Sequence, residues 1–170
     1  MPKAIKIYVK YIDAINCRVG HLSLYLVFVM MGILLLSSIA RAIFNTPLIW
    51  AVEMAQFTMA AYYLLGGGFS MILRAHVRMD VFYSQWSEKR RAVTDTITSF
   101  FLIFYLGVLL YGGLSSTAYS LEYGQRNYSA WAPPMSPIKI IMVIGITLML
   151  LQSFSNFFKD VAKATGREIK

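Results

Sequence analysis

Glu53 is the side chain whose position in this sequence comes closest to chemistry. It stands in the apolar stretch Pro47–Leu73, long enough at 1.5 Å per residue to cross a bilayer of roughly 30 Å. A carboxylate at the centre of such a span costs about 2.5–3.5 kcal/mol on insertion scales, so Glu53 is expected to face protein or water. As a functional group it would be a proton or cation site. As a structural group it would pair with Arg41, which ends the preceding apolar run and closes a hairpin with it. The structural reading is preferred, because no second acid lies at the centre of any span.

Other candidates for chemistry are few. Metal sites need clustered His, Cys or acidic ligands, and the chain has two histidines, His21 and His76, and one cysteine, Cys17. Both histidines fall at the same predicted end of their helices, where a haem between them is a weak alternative. No phosphate-binding loop, nucleophile elbow or pair of acids with cleft character is present. The sequence does not support an enzyme, and no cofactor or metal site is expected.

The elements that would position Glu53 follow from composition. The chain is 58% apolar and 14% charged over 170 residues, against about 45–50% and roughly 25% in soluble domains. Four continuous apolar runs, 21–40, 47–73, 92–114 and 137–158, predict a single all-α integral membrane domain of four helices. Residues 3–16 carry Ile5, Tyr8, Val9, Ile12 and Ile15 at helical spacing, with Lys3, Lys6, Lys10 and Asp13 on the other face. They predict an amphipathic helix lying in the membrane interface; a cytoplasmic extension of the first span is the alternative.

The net charge of +8 would suggest nucleic acid in a soluble protein. Here no nucleic-acid partner is expected, because juxtamembrane Lys and Arg set topology. Thirteen basic residues flank one side of the four spans, and three (Arg41, Arg126 and Lys139) flank the other. That asymmetry places both termini in the cytoplasm. Cys17 then lies on the reducing side, and no removable signal peptide is read at the N-terminus.

Three consecutive glycines, Gly66, Gly67 and Gly68, sit too deep in a span for a phosphate loop and read as sites of close helix approach. Beyond Leu73 the chain leaves the membrane through a charged segment with Arg74, His76, Arg78 and Asp80. Ser87 is a candidate cap for the third helix, and Asp95 a candidate partner for loop cations. In the outer loop, Glu122 and Arg126 are four apart and suggest a helical pair. Tyr119, Tyr123, Tyr128 and Trp131 there suggest an interfacial aromatic belt. The two halves do not mirror each other as inverted-repeat transporters do.

From Arg41 onward the chain resembles the small membrane subunit of the tripartite ATP-independent periplasmic (TRAP) transporters, the DctQ-like family. The matching features are Arg41, Pro47, Trp50 and Glu53, the glycine cluster with Gly66 and Gly67, and the exit His76-Val-Arg78-Met-Asp80. They continue through residues 81–95 and return at Pro137, Lys139, Gly145 and Gln152. The exit motif is similar to the branch labelled for mannitol or chloroaromatic compounds. The resemblance implies a scaffold subunit in a bacterial inner membrane, with both termini cytoplasmic. Its partners would be a large DctM-like elevator subunit, a periplasmic DctP-like binding protein and membrane lipids. It implies uptake of an organic acid or similar small solute, with sodium coupling in the large subunit. Arg41, Trp50, Glu53, Gly66, Gly67, His76, Arg78 and Asp80 would be structural or subunit-interface residues. The rival readings are a self-sufficient proton-coupled exporter using Glu53, and a b-type haem or quinone anchor.

Overall fold

A computed structural model describes residues 3–73 and 88–164, with side chains for 5–73, 94 and 96–162. His76, Arg78, Asp80 and Ser87 lie outside the described residues, as does the side chain of Asp95. The described chain forms four helices: α1 (Lys3–Phe44), α2 (Ile49–Ile72), α3 (Glu88–Glu122) and α4 (Ser136–Ala164). The expected all-α membrane fold is therefore present. α1, α3 and α4 are long and apolar enough to cross a membrane. α2 has 24 residues, about 36 Å by helical rise. Glu53, Gln56, two tyrosines and three glycines interrupt its apolar run. α2 packs against both α1 and α4, and α1 also touches α4. The helix that buries Glu53 thus has neighbours on two sides. α3 packs on α4 through a face that buries Leu106, while Ile97, Phe100, Phe101, Phe104, Tyr105 and Tyr111 are exposed.

Residues 3–16 are helical but do not form a separate interfacial element. They continue unbroken into the first span as one helix of 42 residues, which matches the extension reading. The reason is packing. Val9, Ile12 and Asn16 are buried, Asn16 Nδ2 donates to Gln152 Oε1 of α4, and Tyr8 Oη donates to Leu151 O at 3.1 Å. A helix held along its side by a neighbour has no cause to bend flat.

The hairpins turn by distinct local chemistry. After α1, Asn45 takes φ 51 and Thr46 N donates to Ala40 O at 3.4 Å, a left-handed C-terminal cap that reverses the chain. Arg41 stands in the last turn of α1, where a cation suits the carbonyl end of the helix dipole. Between α3 and α4, Gly124 takes φ 58. Arg126 and Pro134 then form an antiparallel bridge. Arg126 lies beyond the end of α3, so the expected helical pair with Glu122 does not form. Lys139 ties this loop down instead, donating to Gln125 Oε1 at 2.7 Å and to Ser116 O at 3.2 Å.

Glycines set how closely the helices approach. A Cβ on Gly145 of α4 would stand 2.7 Å from Leu64 O, a backbone atom of α2. On Gly67 it would stand 2.7 Å from Met149 Sδ, and on Gly68 it would collide with Asn16 Oδ1 of α1. Gly66 has nothing within 4 Å of that position, so only part of the cluster makes the expected close contacts. Four hydroxyls within the helices are satisfied locally: Ser23, Thr58, Thr117 and Thr147 each donate to the carbonyl four residues back, while the buried Ser120 Oγ has no partner among the described residues.

Gly145→Ala should lower the stability of the detergent-solubilised chain by about 1–3 kcal/mol, the usual cost of overpacking against atoms that cannot yield. Gly66→Ala should be neutral or stabilising by about 0.5–1 kcal/mol, because it meets open space and removes helix-interior glycine entropy. Paired thermal melts give the comparison; equal losses would contradict the assigned roles.

Candidate functional site

The densest group of polar side chains lies where the N-terminal third of α1 meets the C-terminal half of α4. Asp13 and Asn16 are three apart on α1 and so share a face. Gln152, Ser155, Asn156 and Lys159 recur at helical spacing on one face of α4. Asn16 Nδ2 donates to Gln152 Oε1 at 2.9 Å and to Leu148 O at 3.4 Å. Gln152 Nε2 donates to Asp13 Oδ1 at 2.8 Å, and Ser155 Oγ donates to the same oxygen at 3.1 Å. Lys159 Nζ donates to Asp13 Oδ2 at 2.5 Å. Asn156 Nδ2 reaches α2 and donates to Met71 O at 3.3 Å, one of the last carbonyls of that helix, which lack intrahelical partners. The network therefore joins three helices.

Its interior is buried: Gln152 and Ser155 are fully covered and Asn16 is 1% exposed. The Asp13–Lys159 pair sits at its margin, with side chains 30% and 25% exposed. Both oxygens of Asp13 face N–H or O–H donors. A cation site would need converging oxygen acceptors, so this carboxylate is arranged to hold helices together. Asn16 Oδ1 is buried without a partner, against the bare backbone of Gly68.

The residues singled out from the sequence do not converge on one site. Trp50 is half-buried in the first turn of α2. Gly67 lies against Met149, while Gly66 stands open. Glu53 is 8% exposed, and its Oε2 is buried without a hydrogen-bond partner. Arg41 is exposed and makes no ion pair among the described residues, so the expected Arg41–Glu53 bridge is absent. Helix phase is the reason: the two positions are close along the hairpin, but Glu53 points between helices and Arg41 points out. His21 is exposed, and its Nδ1 lies 2.7 Å from Cys17 O. Among the described residues no group of three His, Cys, Asp or Glu side chains could hold a metal.

Sequence reasoning passed over Asp13, Asn16, Ser155, Asn156 and Lys159 as a set. The signal was a polar row at i, i+3, i+4 and i+7 near the end of α4, matched by Asp13 and Asn16 three apart on α1.

The family model described as tripartite ATP-independent periplasmic transporters, DctQ component, matches residues 30–163. No curated protein matches the chain. The matched segment includes the α4 half of the polar network and stops short of Asp13 and Asn16.

Two measurements follow. Replacing Asp13 with Asn and Lys159 with Met, singly and together, should give a coupling of about 1 kcal/mol, since the pair is partly exposed. In contrast, Arg41→Met and Glu53→Gln should add to within about 0.5 kcal/mol. Glu53→Gln should hold or raise the thermal midpoint, because it removes a buried carboxyl that has no partner. A coupling at Arg41–Glu53 above that margin would restore the bridge.

Proposed function

This chain belongs to the DctQ component family of the tripartite ATP-independent periplasmic transporters, and from that premise we propose that it is the fixed scaffold subunit of its transporter. In this reading it braces a large membrane subunit that moves substrate by an elevator motion coupled to sodium. A periplasmic binding protein delivers the substrate, an organic acid or similar small solute. The chain sits in a bacterial inner membrane with both termini in the cytoplasm. The basic residues gathered on one side of the spans support that orientation.

The observation that carries the scaffold reading is how the polar side chains of α1, α2 and α4 are used. Asp13, Asn16, Gln152, Ser155, Asn156 and Lys159 bond to one another or to neighbouring backbone. Transport sites in membrane carriers are commonly built on interrupted helices with free backbone and side-chain groups near the midplane. Here the four helices run without a break among the described residues. A structure whose polar groups bind each other is suited to staying still while a partner moves.

One feature favours the rival reading of a self-sufficient, proton-coupled exporter: Glu53 is buried and unpartnered in a span. The same experiment separates the two. In proteoliposomes the purified chain alone should move no solute, and with the large subunit and binding protein it should support sodium-driven uptake. Saturable transport by the chain alone would overturn the scaffold reading. Orientation is measured separately: Ser87→Cys should react only with reagents applied from the cytoplasmic side, and Tyr128→Cys only from the periplasmic side. Periplasmic reaction at residue 87 would invert the map.

A further inference from the structure

We propose that the free face of the first five turns of α1 binds the headgroup of an anionic phospholipid, seated over Ala14 between Lys10 and Arg18. One side of this segment is already occupied, with Val9, Ile12 and Asn16 buried against the rest of the bundle. The other side is organised in rows. Lys10, Ala14 and Arg18 recur every four residues, and all three are exposed. Eight residues of helical rise separate the two cations by about 12 Å, with only a methyl group between them. Ile7, Tyr11 and Ile15 form the adjacent row at the same spacing, 56%, 66% and 45% exposed. Lys6, also exposed, continues the basic row one turn earlier. None of Lys6, Lys10 and Arg18 pairs with a carboxylate among the described residues.

Two observations identify lipid as the occupant. The first is continuity. Two to four turns beyond Ile15, the same side of α1 carries Leu22, Tyr25 and Val29, which are exposed on the span itself and so face hydrocarbon. Ile7, Tyr11 and Ile15 extend that same lipid-facing surface. The second is charge. An apolar row beside a basic row is the pattern of a helix side seated at the headgroup boundary, its cations on phosphate and its apolar side chains on the upper acyl region. Lys and Arg stems are long enough to lie along the apolar row while their charges reach the phosphates. A 42-residue helix is about 63 Å long, twice the hydrocarbon thickness. Part of it must meet the headgroup layer, and this is the part with the side chains for it. The leaflet rests on the orientation proposed above; the headgroup chemistry does not.

The test uses the full chain in mixed micelles of phosphatidylglycerol and phosphatidylcholine, with retained lipids counted by native mass spectrometry. The wild-type chain should retain phosphatidylglycerol preferentially. Lys10→Gln with Arg18→Gln should weaken that retention about thirtyfold, in line with two cations near an acidic surface. Arg126→Gln, an exposed cation in the α3–α4 loop, should not change it. Unaltered retention in the double variant, or an equal loss in Arg126→Gln, would overturn the proposal. A spin label at Tyr11→Cys in a Cys17→Ser background, in phosphatidylglycerol-containing vesicles, supplies an independent reading. Oxygen should relax it more than a water-soluble nickel chelate does, with and without the large subunit. Free access of the chelate would place the segment in water. Loss of access to both agents on adding the large subunit would make that protein the occupant, and either result rejects the lipid site.

Discussion

Asn16 of α1 rests against Gly68 of α2 at a distance that no side chain on residue 68 would permit, and the inner half of the bundle depends on that approach. With α1 this close, Asn16 reaches Gln152, and Gln152 reaches Asp13. Asn156 then closes the triangle by donating to the end of α2. Lipid offers no driving force for helices to associate by apolar burial alone, because acyl chains are as apolar as leucine. Close packing at small residues and hydrogen bonds that lipid cannot replace must do it. Both occur here at the same place.

The same constraint explains the unequal treatment of the four helices. α2 carries the glycines, Glu53 and Gln56, and it lies against both α1 and α4. α3 carries phenylalanines and tyrosines that remain exposed, and its join to α4 is secured near the loop, where Lys139 bonds to Gln125 and Ser116. Thr117 Oγ1 adds a contact to Lys139 O at 3.3 Å. The chain is thus a compact trio with a fourth helix fastened to one member. A large apolar surface on α3 is ordinary for a helix in lipid.

Glu53 and Asp13 show how differently two carboxylates can stand in one small protein. Asp13 accepts from three side chains and remains partly exposed. Glu53 is nearly buried, with one oxygen that has no partner. A buried group of that kind costs free energy in the isolated chain. Arg41, the nearest cation along the hairpin, does not relieve it, since its own place is the carbonyl end of α1.

The sequence by itself determined the class of this protein. Long apolar runs admit only membrane helices, and the features from Arg41 through the glycine cluster to Gln152 were enough to indicate the family that the match over residues 30–163 establishes. Those signals are local, carried by continuous stretches and needing no partner to be read. What only the tertiary structure decided was who meets whom. Arg41 and Glu53 are near in sequence yet face different surroundings, because helix phase, not separation, sets direction. Asp13 and Lys159 are 146 positions apart and yet in contact. Residues 3–16 looked amphipathic enough to lie flat, but the polar row of α4 gave one of their faces a neighbour, and they stayed in line with the span. Pairings of that kind depend on two helices being brought side by side, and no single stretch of sequence contains them.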